Sequence, residues 1–66
     1  MIFLEAVNSG KDFKRPDDDY YYRIEADGFP YAVCIDQDGN EKSVDVIFSL
    51  EEMNATNWEL KPDASV

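Results

Sequence analysis

Two Asp-Gly pairs, Asp27-Gly28 and Asp38-Gly39, separate three segments in which apolar and polar residues alternate. Such a pair between alternating segments is a strong hairpin signal, because glycine supplies the positive φ that a tight reversal needs. Tyr20, Tyr22, Ile24 and Ala26 alternate with Tyr21, Arg23 and Glu25. Tyr31, Val33 and Ile35 alternate with Ala32, Cys34 and Asp36, and Val44, Val46 and Phe48 with Ser43, Asp45 and Ile47. This is the period of half-buried strands. With each Asp-Gly as a two-residue turn, Ile24 faces Tyr31, Tyr22 faces Val33 and Tyr20 faces Ile35. Across the second turn Val33 faces Val44 and Tyr31 faces Val46. Apolar residues then meet on a single face, and a slip of one residue inverts a strand. Pro30 falls near the start of the central strand, where a missing donor is tolerated. The expectation is an antiparallel three-stranded meander with one buried face.

The flanks supply its cover. Phe3, Leu4 and Val7 share one face of a two-turn helix that Gly10 stops, too short to stand without packing. Lys11–Arg15 reads as a short edge strand centred on Phe13, and Pro16 with Asp17-Asp18-Asp19 breaks regular structure. Ser49-Leu50-Glu51-Glu52 is a capping box that opens a short helix with Leu50 and Met53 inward, ending near Asn54–Asn57. Trp58-Glu59-Leu60 returns as a short strand or extended segment with Trp58 as a core anchor. Residues 62–66 read as a frayed tail. The class is therefore α+β in one domain over 1–66: an antiparallel three-stranded meander, with room for short extra edge strands, packed on one face by two short helices.

Composition narrows the function. The chain has 66 residues, 15 Asp+Glu against 6 Lys+Arg, no His and one Cys, for a net charge of −9. A chain this short buries only about 60% of its unfolded surface, which leaves little for a deep, water-excluding active site. One Cys forms no internal disulfide, and Cys/His zinc sets are excluded. The commonest general base is missing. The charge repels free nucleic acid and anionic membranes. A 44% hydrophobic content with 14% aromatics, placed periodically, argues for folding rather than acidic disorder. With no charged-then-apolar leader and no apolar run near 18 residues, the chain reads as cytoplasmic. The function left standing is binding, not catalysis, with no cofactor, in a monomer whose partner is basic.

The same pairing predicts the solvent face. Asp19 falls opposite Asp36, and Asp36 opposite Glu41, a row of carboxylates crossing strands about 4.8 Å apart. Asp17 and Asp18 enter at the same end, and Asp38 sits at the adjoining turn. The rows Tyr21–Cys34–Ser43 and Arg23–Ala32–Asp45 follow. Like charges directly opposite destabilise a sheet, so stability alone does not select this row. The candidate partner-binding residues are Asp17, Asp18, Asp19, Asp36, Asp38 and Glu41, with Tyr21 as an apolar anchor. The plainer account is that Asp favours turns and charge keeps small proteins soluble.

Other motifs carry less. Asp36-Gln37-Asp38-Gly39-Asn40 resembles the start of a calcium loop, but Glu41 and Ile47 occupy the places that want Gly and Glu. A weak surface site for a hard divalent cation in the carboxylate row is the remaining metal chemistry. Cys34, on the outward face in this pairing, has no His to activate it. Tyr20-Tyr21-Tyr22 lacks the positive groove of a base-stacking platform. Asn54-Ala55-Thr56 fits a glycosylation acceptor without any sign of secretion.

Phe3-Leu4-Glu5-Ala6-Val7, Gly10-Lys11, Lys14-Arg15-Pro16, Phe48-Ser49-Leu50-Glu51-Glu52 and Thr56-Asn57-Trp58-Glu59-Leu60 resemble the Thoeris anti-defence domain proteins of phages. Some members of that family sequester cyclic nucleotide signals of bacterial immunity. Where members follow the Arg with Gly-Trp, this chain runs Pro16-Asp17-Asp18-Asp19, so no ligand-contact residue carries over. In size and acidity the chain also resembles small acidic anti-CRISPR proteins, several of which block a Cas surface that holds DNA. The resemblance implies a phage counter-defence protein acting in the bacterial cytoplasm. The expected mechanism is mimicry of nucleic acid by the acidic surface, which would occupy a Lys/Arg-rich site of a defence effector. The alternative it implies is an oligomeric sponge for a cyclic nucleotide signal.

Overall fold

A computed structural model describes residues 1–62. Along the chain come α1 (Phe3–Asn8), β1 (Phe13–Lys14), β2 (Tyr21–Ile24), β3 (Pro30–Ile35), β4 (Glu41–Asp45), α2 (Leu50–Asn54) and β5 (Glu59–Leu60). The strands form one antiparallel sheet in the order β4-β3-β2-β1-β5. The α+β meander with two short helices is thus the architecture. Phe13–Lys14 is not its edge, because β5 adds outside β1 with Phe13 opposite Leu60 and Lys14 opposite Glu59. Of the expected frayed tail only Pro62 is described, outside any regular element; 63–66 lie outside the described residues.

The pairing within the meander differs from expectation by one residue, twice. Glu25 N–H donates to the Phe29 carbonyl at 3.1 Å and Gly28 N–H to the Glu25 carbonyl at 2.9 Å. The first loop is therefore Ala26-Asp27-Gly28, a turn whose last residue, Gly28, has φ +83°. The second repeats the design: Asp36 N–H donates to the Asn40 carbonyl at 2.9 Å, and Gly39 N–H to the Asp36 carbonyl at 3.0 Å. Gly39 has φ +82°. A turn closed by a left-handed glycine is the common three-residue hairpin loop, and Asp-Gly suits it as well as the two-residue kind. The Asp side chains favour the longer form. Asp27 Oδ1 accepts from Phe29 N–H, and Asp36 Oδ1 from both Asp38 and Asn40 N–H, each at 2.9 Å.

One added residue per loop reverses β3 and then restores β4. Tyr22 pairs with Ala32, which pairs with Val44, so these three share the face that carries Phe13. Tyr31, Val33 and Ile35, expected inward, turn outward with Tyr21 and Arg23. Cys34, expected outward, takes the face of Ala32. Ile35 is 64% exposed and Ala32 is buried.

The core lies over β5, β1 and β2. Ala6, Phe13 and Trp58 are fully buried, and Phe3, Tyr22 and Phe48 pack around them. Ring centroids among the five aromatics stand 5.0–6.3 Å apart, mostly edge to face, an arrangement that stabilises beyond simple burial. Gly10, with φ +75°, follows α1 as its stop. On α1, Phe3 and Val7 pack on the core while Leu4 is exposed; so short a helix buries only a narrow stripe. The capping box of α2 forms in both directions, Glu52 N–H to Ser49 Oγ at 3.1 Å and Ser49 N–H to Glu52 Oε1 at 3.0 Å. Trp58 Nε1 donates to the Glu52 carbonyl at 3.0 Å. This seat turns Leu50, expected inward, to solvent. Tyr20 and Val44 are likewise exposed rather than buried, because the helices do not reach β4 or the entrance to β2.

Candidate functional site

In the antiparallel meander the start of β2, the end of β3 and the start of β4 share one end of the sheet. Asp17, Asp18 and Asp19 enter β2 there, Asp36 and Asp38 form the β3–β4 loop, and Glu41 opens β4. The six candidate acids thus gather at one end by topology. The expected row across the strands does not form: Ile35, not Asp36, pairs with Glu41, while Asp36 closes the loop with Asn40. The row would have needed two-residue turns.

Their chemical situations differ. Asp18 Oδ2 accepts from Arg15 N–H at 2.9 Å while Asp18 N–H donates to the Arg15 carbonyl at 3.1 Å, so this carboxylate holds the bend after Pro16. Asp36 does the same for its loop. Glu41 lies 3.3 Å from the Arg23 guanidinium. Asp17, Asp19 and Asp38 are exposed. Among the described residues none of the five aspartates at this end forms an ion pair.

Tyr21 is not a free anchor. It is half-buried, with Lys14 Nζ at 5.7 Å and Lys61 Nζ at 5.5 Å from its ring, contacts in which the ring face attracts the ammonium groups. The rows beside it read Tyr21–Val33–Ser43 and Arg23–Tyr31–Asp45, not those expected through Cys34 and Ala32. Arg15 crosses the Trp58 ring at 5.8 Å, and its buried Nε has no hydrogen-bond partner among the described residues. Lys14, Arg15 and Lys61 thus lie against aromatic rings.

Towards the opposite end, the outer face carries a network the sequence reading missed. Arg23 Nε and Nη2 donate to Asp12 Oδ1 and Oδ2 at 2.7 and 2.8 Å. The hydrogen bonds from Arg23 hold the Asp12 carboxyl below the ordinary carboxylate range against partial burial. Tyr31 Oη donates to Asp27 Oδ2 at 2.5 Å, which pushes the phenol up to about 12 and the carboxyl down. The Tyr31–Asp27 pair depends on β3 facing as it does. Among the described residues no three carboxylates or thiols are placed to hold a metal ion, and no helix is long and apolar enough to cross a membrane.

Comparison with family models, curated proteins and solved structures returns no match.

Proposed function

We propose that the chain is a binding protein of phage counter-defence, anti-CRISPR-like in action. It presents its acidic end to a Lys/Arg-rich, nucleic-acid-binding surface of a bacterial effector and keeps nucleic acid out. The observation that carries this reading is the gathering of Asp17, Asp18, Asp19, Asp36 and Asp38 at one end of the sheet with no ion pair among the described residues. Guanidinium groups pair with carboxylate and phosphate alike, often bidentately. A net charge of −9 speeds encounter with a basic surface and makes the association salt-sensitive.

The test is displacement of labelled DNA from a basic Cas effector. Asp17→Asn, Asp19→Asn and Asp38→Asn together leave the loop hydrogen bonds of Asp18 and Asp36 in place. The triple variant should melt as the parent does and lose most of its displacing power, and rising salt should weaken the parent. Undiminished displacement by the triple variant would remove the acidic end from the mechanism.

A further inference from the structure

The two hairpin loops share one backbone design, and each presents an exposed Asp-Gly pair, Asp27-Gly28 and Asp38-Gly39. Gly28 and Gly39 have φ +83° and +82°. Their N–H groups donate to the Glu25 and Asp36 carbonyls at 2.9 and 3.0 Å. The space where a Cβ would stand is open at both glycines. Backbone and exposure therefore do not distinguish the two aspartates, but their carboxylates do.

Asp27 is held twice: Oδ1 accepts from Phe29 N–H at 2.9 Å and Oδ2 from Tyr31 Oη at 2.5 Å. The Tyr31 bond first, and the Phe29 bond after it, keep this carboxyl below its ordinary range. In the second loop Asn40 N–H stands where Phe29 N–H stands in the first. Asp36 Oδ1 captures it at 2.9 Å, together with Asp38 N–H. Lys42 occupies the place of Tyr31 without bonding to Asp38. Among the described residues the Asp38 carboxylate has no hydrogen bond or ion pair.

We propose that Asp38 is a site of spontaneous modification to isoaspartate, and that its hydrogen bonds protect Asp27 in the same kind of turn. The Gly39 nitrogen attacks Cγ of the neutral Asp38 carboxyl. A new N–Cγ bond replaces a Cγ–O bond, and the amide proton leaves with the hydroxyl as water. The succinimide ring that results takes water back at either carbonyl. Addition at Cγ restores Asp38; addition at the main-chain carbonyl leaves the chain running through Cβ. Water is lost and regained, so the step needs no oxidant, cofactor or second protein. The same attack at Asp27 must first break the bonds from Tyr31 and Phe29, and the lowered carboxyl offers less of its neutral form. The product adds a main-chain atom to the loop between β3 and β4 and moves a carboxylate at the acidic end. None of this depends on what that end binds.

The test is storage of the folded chain near neutral pH, with isoaspartate read at each site by proteolysis and electron-transfer fragmentation. Breaking a hydrogen bond to a charged group before reaction slows a step about tenfold or more, so the Asp38 product should exceed the Asp27 product by at least that factor. In concentrated urea, with both loops open, the two sites should age at similar rates. Tyr31→Phe should raise the Asp27 product and leave the Asp38 product unchanged. Asp38→Glu keeps the charge but lengthens the ring that must close, and should remove the product at that site. Equal ageing of the two sites in the folded chain, or a preference for Asp38 that persists undiminished in urea, would overturn the proposal. So would a folded Tyr31→Phe variant in which Asp27 ages no faster than in the parent.

Discussion

Arg23 holds Asp12 through two parallel hydrogen bonds, Nε to Oδ1 at 2.7 Å and Nη2 to Oδ2 at 2.8 Å, tying the segment before β1 to β2. Asp12 is almost covered, its side chain only 11% exposed, and its carbonyl accepts from Lys61 N–H at 2.8 Å. The pair therefore fastens β1 between β2 and β5, the part of the sheet that carries the core.

Asp12→Asn should cost about 1–2 kcal/mol near neutral pH, the worth of a charge-assisted hydrogen-bonded pair. The sign with pH is fixed by the lowered Asp12 carboxyl. A carboxyl depressed in the folded state contributes stability that is present above its ordinary value and lost as pH falls through its folded one. Urea midpoints of parent and variant should therefore differ at about pH 7, and the difference should shrink as acid protonates the Asp12 carboxyl in the folded state. A gap that persists in acid would mean the pair is not what Asn removes.

Tyr31 and Asp27 make a second coupled pair across the first hairpin. The hydrogen bond to Asp27 is the main reason the phenol rises to about 12, with burial and neighbouring carboxylates adding to it. A group raised in the folded state contributes stability that is full below its ordinary value, near 10, and fades as pH climbs towards 12. Asp27→Asn keeps an oxygen for Phe29 N–H and removes the carboxylate. The phenolate absorbance that Tyr31→Phe identifies as belonging to Tyr31 should then appear at lower pH. An unmoved titration would show that the pair does not persist in solution.

The two loop glycines test the pairing directly. A Cβ on Gly28 or Gly39 meets nothing within 4 Å, so the penalty for Ala is the left-handed backbone alone. Each Ala should cost about 1 kcal/mol and the double variant about 2, since the loops are independent; Asn should cost less. Thermal melts measure this. No loss at either site would mean that the loop is not closed by a left-handed residue.

Those loops also explain where the sequence was legible and where it was not. Alternation showed that three strands exist and that Tyr22 and Ile24 face inward. The Asp-Gly pairs located both reversals, and Ser49 with Glu52 marked the start of α2 to the residue. An Asp-Gly pair does not state whether two or three residues are looped, because left-handed glycine serves both. A one-residue difference inverts β3, and a second one cancels it at β4, so the outer strands came out right and the central one reversed. The acidic row was built on that central strand and dissolved with it. What survived is the end of the sheet where the acids sit, which follows from strand direction alone. Leu50 and Leu4 were misread because helices of five and six residues obey their caps and a single aromatic seat more than their apolar pattern.

Trp58 is that seat, and its replacement separates packing from hydrogen bonding. The indole is 1% exposed, touches Phe3, Phe13, Tyr22 and Phe48, and donates to the Glu52 carbonyl that ends α2. Trp58→Ala removes all of this and should cost about 3–5 kcal/mol, against a net stability of about 3–10 kcal/mol for a chain of this length. It should abolish a cooperative melt or leave it just above ambient temperature. Trp58→Phe keeps an aromatic ring but loses the donor and part of the volume; it should fold and melt lower, by about 1–3 kcal/mol. Near-ultraviolet dichroism should persist in the Phe variant through Phe13 and Tyr22 and vanish in the Ala variant. A Trp58→Ala protein with an unchanged cooperative transition would place the core elsewhere, and the positions of both helices with it.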